Sequence, residues 1–272
     1  KNKTVVHPFL HVSYVMDEQS NFTNAKSWNK PIAKIKKNLS MVSGQKIKLG
    51  FLCGEIRNHP TFFLIKNLFK YMNKDLFSLF LFSYGHTQNE MNYIRDEFEE
   101  IIDITNSTDD KARDIIKSYN LNILIDLTTI ISHNRNNIID NFSANAVISY
   151  LAFPGTTANE TYDFIITDEI VTPKKQQQYY SEKFLFMPES YQINDGSRIY
   201  SNESRNENNI PEDAFVLGCL NQSFKLDPVF FDIWLNIMDK CKSTVLWLLN
   251  DNEEMSNNIK NYAYYTLMHT QI

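Results

Sequence analysis

Asn58-His59-Pro60-Thr61 puts an imidazole directly before a proline, at the point where an apolar strand ends and a helix should open. Ile47, Leu49, Phe51 and Leu52 form the apolar run upstream, of strand length. Proline suits the first helical position, because the N–H it lacks would have no partner there. The spacing therefore predicts His59 at a helix N-terminus, with orphan backbone N–H groups at about Thr61 to Phe63 beside the ring. A proton-transfer group next to an anion site suits a phosphate or sugar-phosphate ligand. Two further stretches hold residues of this kind. Phe153-Pro154-Gly155-Thr156-Thr157 closes an apolar strand with a tight turn, and Asn221-Gln222-Ser223-Phe224-Lys225 comes after another strand, just before Pro228. Without their setting, His59 reads as a capping histidine and Lys225 as a solvated lysine.

The setting is an alternation of strands and helices from Lys46 onward, the pattern of a parallel sheet covered on both faces. After the strand-turn-helix of Lys46 to Tyr71, strands are expected over residues 77–83, 101–104, 121–127, 146–151, 163–167 and 183–187. Helices are expected over 89–100 and up to Tyr119, the latter opened by the S-x-x-D arrangement of Ser107 and Asp110. In such a sheet the turn after Phe51 and the Phe153–Thr157 loop leave by the same edge and face one crevice, although about ninety residues separate them. Asp126, closing its strand, is expected to cap the polar segment after it. The polar, irregular stretch 189–209 reads as a domain boundary. Beyond it a second pattern of strand, proline-opened helix at 228–240, strand and helix stops with too few strands for a full doubly wound domain. Before Lys46, a helix near Ser20 to Lys30 and a basic linker around Lys34 to Lys37 read as a segment that packs on the sheet domain.

The 272 residues, 43% hydrophobic with a net charge of -5, describe an ordinary soluble globular chain. A pI near 5.7 without a long Lys/Arg run argues against nucleic acid as a partner. Cys53, Cys219 and Cys241 are too scattered for a disulfide framework or a zinc site and read as reduced core thiols, which points to a cytoplasmic, reducing compartment. No apolar stretch is long enough to span a membrane, and no secretory leader opens the sequence. His7, His11, His86 and His133 share no metal-ligand spacing, and the series Phe62, Phe63, Phe69, Phe77, Phe80 and Phe82 is expected in the core.

Four stretches taken together resemble the catalytic region of the O-GlcNAc transferase family. They are Asn58-His59-Pro60-Thr61, the loop from Leu151 to Thr156, Tyr162–Asp168 with Tyr180-Ser181-Glu182-Lys183 behind it, and Asn221–Lys225 with Asp227-Pro228 after it. Each alone is weak, but four in the right order are specific. The likeness covers roughly residues 46–250, and the leading HPFLHVSYV resembles the segment that joins the helical repeats of that family to its catalytic part.

The resemblance implies an α/β fold of GT-B type. Residues 46–200 would form an N-terminal Rossmann-like lobe with helices on both faces, 201–272 the incomplete beginning of a C-terminal nucleotide-sugar-binding lobe, and 1–45 a helical linker segment. It implies a glycosyltransferase that moves a sugar, GlcNAc from UDP-GlcNAc, to Ser or Thr of a protein acceptor with inversion and without a metal or other cofactor. Carried over by position, His59 lies near the reacting centre with Thr61 as its neighbour. Pro154, Gly155 and Thr156 flank the sugar and phosphates, and Gln222 and Lys225 hold the diphosphate, Lys225 supplying the charge that a metal supplies elsewhere. Partners implied are the nucleotide sugar, a protein acceptor, and a partner protein or helical-repeat region. The sequence also departs from the family. Asp126-Leu127-Thr128-Thr129-Ile130-Ile131 stands where many relatives have Asp-Leu-x-Gly-His-Thr, Glu55 where aspartate is common, and Phe9 where some have histidine. No Gly-His-Thr-Thr turn occurs before Ile272, so residues 1–272 are not expected to be active alone. Those departures keep open a non-catalytic interaction module on the same fold, and a protein O-fucosyltransferase or other hexosyltransferase.

Overall fold

The computed structural model describes residues 5–29, 44–131, 133–140, 142, 144–197 and 201–269, and the chain divides into two compact units, Lys1–Gly196 and Ser197–Ile272. The basic linker at Lys34 to Lys37 lies outside the described residues. The first unit opens with α1 (Pro8–Tyr14) and α2 (Glu18–Trp28). It continues through β1 (Ile47–Cys53), α3 (Pro60–Ile65), β2 (Phe77–Ser83), α4 (Gln88–Ile94), β3 (Glu100–Asp103), α5 (Asp109–Ser118) and β4 (Ile123–Asp126). Strands β5 (Ala146–Ser149), β6 (Phe164–Thr167) and β7 (Lys183–Phe186) complete a parallel seven-stranded sheet in the order β3-β2-β1-β4-β5-β6-β7.

Successive side chains of a strand face opposite ways, and β1 and β2 show why both faces had to be apolar. Leu49, Phe51, Cys53, Leu79 and Leu81 pack with Phe62, Ile65 and Phe69 on one face. The intervening Leu52, Phe80 and Phe82 pack with Ala112 and Ile116 of α5 on the other. Each large side chain fully buried contributes on the order of 1.5–3 kcal/mol, so a slip of one residue in either strand would be prohibitive. Burial pushes the Cys53 thiol up to about 12, which makes it an inert core thiol.

The chain lays β2 and β3 on one side of β1 and returns to build β4 to β7 on the other. Strand order therefore reverses between β1 and β4, where diverging loops open the ligand crevice of such sheets. The register sets Leu52 beside Asp126 and Asp126 beside Ser149, so the loops after β1, β4 and β5 leave the edge side by side.

Several local features differ from expectation. α1 is not anticipated, being a short helix with Pro8 in its first turn, and the His7 ring before it packs on Trp28 at 4.9 Å. α3 stops at Ile65, short of Tyr71, because Asn67 turns aside to bond Asp195 and to accept the Tyr93 hydroxyl at 2.8 Å; the chain resumes as a 3₁₀ turn at Leu68–Tyr71. Thr108, not Ser107, caps α5, its Oγ1 accepting from Lys111 N at 3.3 Å. Phe63 is 42% exposed, and Cys241 is exposed as well.

The second unit consists of β8 (Phe215–Cys219), α6 (Pro228–Lys240), β9 (Thr244–Leu248) and α7 (Glu253–His269), with β8 and β9 parallel. Asp227 fixes the start of α6 by accepting from Val229 N at 2.8 Å and Phe230 N at 3.2 Å. Among the described residues no helix is long and apolar enough to cross a membrane.

Pairing between β1 and β2 continues into their exit loops. Ile56 N donates to Gly85 O at 3.0 Å and Thr87 N to Ile56 O at 2.9 Å, drawing the two backbones together. A Cβ at Gly85 would lie 2.1 Å from the Gly54 carbonyl oxygen, and backbone cannot step aside as a flexible side chain can. Gly85→Ala should therefore destabilise the protein by about 2 kcal/mol in urea unfolding, whereas Gly218→Ala, with nothing within 4 Å of the added carbon, meets no such clash.

Candidate functional site

His59 is in extended conformation at the N-cap of α3, and its Nδ1 accepts the Thr61 N–H at 3.2 Å. Phe63 N is taken by the His59 carbonyl at 3.2 Å. The anion site expected from these free N–H groups is thus largely closed by the histidine itself. The same bond sets the tautomer. With Nδ1 accepting, the proton of the neutral ring sits on Nε2, and the outer nitrogen is a donor. Glu55 Oε2 lies 3.8 Å from Nδ1, beyond hydrogen-bond reach, and is engaged by Arg57 Nε at 2.8 Å and a terminal guanidinium nitrogen also at 2.8 Å. Desolvation lowers the His59 pKa, Glu55 opposes that shift and Arg57 adds to it. At neutral pH the ring is uncharged, with its one donor on Nε2.

Asp126 organises the neighbouring loop. Its Oδ1 accepts from Thr128 N and Thr129 N, both at 3.0 Å, and its Oδ2 accepts the Tyr162 hydroxyl at 2.6 Å. It caps the segment after β4, as expected, although that segment is a loop and not a helix. Burial raises the Asp126 pKa against the opposing bonds from Thr129, Tyr162 and Thr128. Thr128 Oγ1 in turn accepts Gly54 N at 2.8 Å, tying the β1 and β4 exits together across the switch point.

In the loop after β5, the Phe153 ring packs with Ile130 and Ile131, and Phe9 of α1 lies 6.2 Å from it, ring to ring. Gly155 passes directly over that ring: a Cβ there would sit 2.5 Å from Phe153 Cζ. Pro154 and Gly155 form the half-buried tip, while Thr156 and Thr157 turn inward to Glu182. Tyr180 packs edge-on against Phe184 of β7 and donates to Pro154 O at 3.3 Å. Among the residues carried over by position, His59, Thr61, Pro154, Gly155 and Thr156 all lie at the carboxyl edge of the one sheet. The Thr61 N–H and the Thr156 hydroxyl are spent inside the protein.

Gln222 and Lys225 belong to the second unit, in the turn after β8, where Ser223–Lys225 form one turn of 3₁₀ helix. Ser223 N donates to Asp251 Oδ2 at 2.7 Å, which fixes the turn against the loop after β9. Both side chains are exposed; the Lys225 ammonium stands 5.8 Å from the Phe224 ring, and no carboxylate pairs with it among the described residues. Arg57, Tyr162 and Glu182 receive no role from the sequence. For Glu182 the signal was a carboxylate directly before an apolar strand, inside a stretch already singled out.

This geometry sets two outcomes. A ring whose pKa is depressed below its unfolded value near 6.5 contributes stability above that pH and loses the contribution as pH falls through it. In an NMR titration, His59 should therefore reach its midpoint below 6.5, and Arg57→Gln should move that midpoint upward. Thr129 adopts φ +47, the left-handed region, with its Oγ1 buried and unpartnered. Thr129→Gly removes strain of about 1–2 kcal/mol and the orphaned hydroxyl, against roughly 1 kcal/mol each for glycine entropy and the lost methyl group. A net gain of about 1 kcal/mol in thermal unfolding is expected, and Thr129→Ala, which keeps the Cβ, should gain less.

Comparison with known proteins bears on the fold and the family. The fold matches a solved mutant of the Thermobaculum terrenum O-GlcNAc transferase with a TM-score of 0.78 at 17% identity, over 94% of this chain and 50% of that one. The probable UDP-N-acetylglucosamine--peptide N-acetylglucosaminyltransferase SEC of Arabidopsis thaliana is 30% identical over 214 residues, 75% of this chain and 22% of the plant protein. The UDP-N-acetylglucosamine--peptide N-acetylglucosaminyltransferase of Caenorhabditis elegans is 24% identical over 163 residues, 59% of this chain and 14% of its own length. The chain thus spans about a fifth or less of these curated relatives. The sequence model of glycosyl transferase family 41 matches residues 22–203 and 197–271, and with nearly all of its length accounted for in this way the chain belongs to glycosyl transferase family 41.

Proposed function

We propose that this protein transfers GlcNAc from UDP-GlcNAc to Ser or Thr hydroxyls of protein acceptors, with inversion and without a metal. Family membership and the activity for which the relatives are named support the donor and acceptor classes. The observation that carries the reading furthest is that each unit, taken by itself, presents groups of the chemistry its role asks for. The first unit offers a neutral donor, His59 Nε2–H, and a glycine-tipped loop, while the second offers an exposed ammonium in Lys225 that no carboxylate engages among the described residues.

In the reaction the acceptor Oγ forms a bond to the anomeric carbon, the bond from that carbon to the diphosphate oxygen breaks, and negative charge grows on the leaving diphosphate. Lys225 stabilises that charge and Gln222 helps hold the phosphates. Pro154 and Gly155 shape the pocket for the sugar. His59, carrying its proton on Nε2, donates to a ligand oxygen and is not the base; the acceptor proton leaves with the nucleoside diphosphate, whose oxygen takes it. The protein is expected to act in the cytoplasm.

Transfer assays on the full-length protein with UDP-GlcNAc, UDP-glucose and GDP-fucose test the donor, and turnover with GDP-fucose alone would overturn it. Lys225→Ala should lower kcat by about 10²–10³, since the leaving-group charge loses its cationic partner. His59→Ala should cost only about tenfold, the worth of one neutral hydrogen bond. Equal and negligible losses in both variants would sink the site assignment.

A further inference from the structure

We propose that Glu182 is a positioning residue: its buried carboxylate sets the shape of the Phe153–Thr157 loop, and through it the affinity for the sugar portion of a nucleotide sugar. The dependence on sugar affinity rests on the proposed glycosyl transfer, in which that loop faces the donor sugar.

Glu182 is 0% exposed and sits immediately before β7. Among the described residues no Lys or Arg pairs with it, so its burial is offset by donors alone. There are four. Oε2 accepts the Thr156 hydroxyl at 2.7 Å and the Ser181 hydroxyl at 3.1 Å; Oε1 accepts Thr157 N at 2.7 Å and the Thr157 hydroxyl. Three of the four come from two consecutive loop residues. A carboxylate that lost this loop would keep only the Ser181 hydroxyl as a donor while still buried, so carboxylate and loop hold each other in one conformation.

The grip is also specific for a charge-bearing acceptor. Thr156 Oγ1 accepts Ala158 N at 3.0 Å and Ser181 N at 3.3 Å, so its own proton must point at Glu182. A glutamine would have to aim its NH₂ either at that hydroxyl or at Thr157 N–H, and both orientations set donor against donor. The effect reaches the tip directly. Pro154 and Gly155 hang between the anchored Phe153 ring on one side and Thr156 on the other, and Thr157 O is held in addition by the Asn29 side chain at the end of α2. A shift at Thr156 has no slack to absorb it before Gly155.

The test measures UDP and UDP-GlcNAc binding by calorimetry, and Thr157 amide exchange by NMR, in the full-length protein. Glu182→Gln should weaken UDP-GlcNAc at least tenfold, change UDP less than twofold, and speed exchange of the Thr157 amide at least tenfold relative to Ile165. Should that variant fail to fold, Thr157→Val carries the test: it removes one donor and should weaken UDP-GlcNAc severalfold, with Thr157→Ser, which keeps the hydroxyl, restoring wild-type affinity. Equal loss of UDP and UDP-GlcNAc, or unchanged binding of both, overturns the role of Glu182. Wild-type protein that binds neither ligand overturns the functional reading instead, and leaves the exchange of the Thr157 amide to decide whether Glu182 holds the loop.

Discussion

Every strand of the first unit runs the same way, and that one constraint decides where chemistry resides. In a parallel sheet the loops after each strand emerge at a single edge, and crossing helices cover the faces, so nothing but those loops is left to present polar groups. The register brings the ends of β1, β4 and β5 side by side at the point where strand order reverses. His59, Asp126 and the Pro154–Gly155 tip therefore share an edge without any of them being near in sequence. The bond from Gly54 N to Thr128 Oγ1 closes the gap between the two halves of the sheet at that point.

Three of the four buried carboxylates among the described residues, Glu55, Asp126 and Glu182, brace the loops of this sheet, and the protein compensates each by different means. Glu55 is met by the Arg57 guanidinium, Asp126 by two backbone N–H groups and a phenol, and Glu182 by hydroxyls and one N–H. The arrangement leaves the edge with little positive charge to spend: Arg57 is already paired, and the first turn of α3 is capped by His59. A site built this way suits the neutral, hydroxyl-rich part of a ligand. Under the proposed transfer a diphosphate would need a cation other than these, and Lys225 is exposed in its own unit, with no carboxylate on it among the described residues.

How much of this was legible depends on how local its causes are. Strands announced themselves through continuous apolar runs, and α6 was delimited correctly because proline and aspartate, adjacent in sequence, fix its start. His59 at the N-cap was readable for the same reason. The early end of α3 was not, because Asn67 answers to Asp195, 128 residues away. Neither was the inward turn of Thr156 and Thr157, which depends on a carboxylate 25 or 26 residues downstream. The tautomer of His59 lay in between: proline placed the ring, but only the folded geometry shows which nitrogen caps Thr61.

Backbone strain gives an independent view of the same edge. Thr129 and Leu151 both have positive φ, at +47 and +76, in the loops after β4 and β5, and both are buried. Neither residue type favours that region, and threonine is among the least suited to it. At Thr129 the path is imposed by Asp126, which binds two consecutive N–H groups and so dictates the turn whatever side chain comes next. A glycine at this position would relieve the strain without rerouting the backbone, because the two bonds to Asp126 would remain. Strain of this sort persists only where surrounding bonds over-determine the conformation, and it gathers where a ligand demands a fixed shape. Two such residues, in the loops after β4 and β5, mark this stretch of the edge as one whose path is fixed by its surroundings.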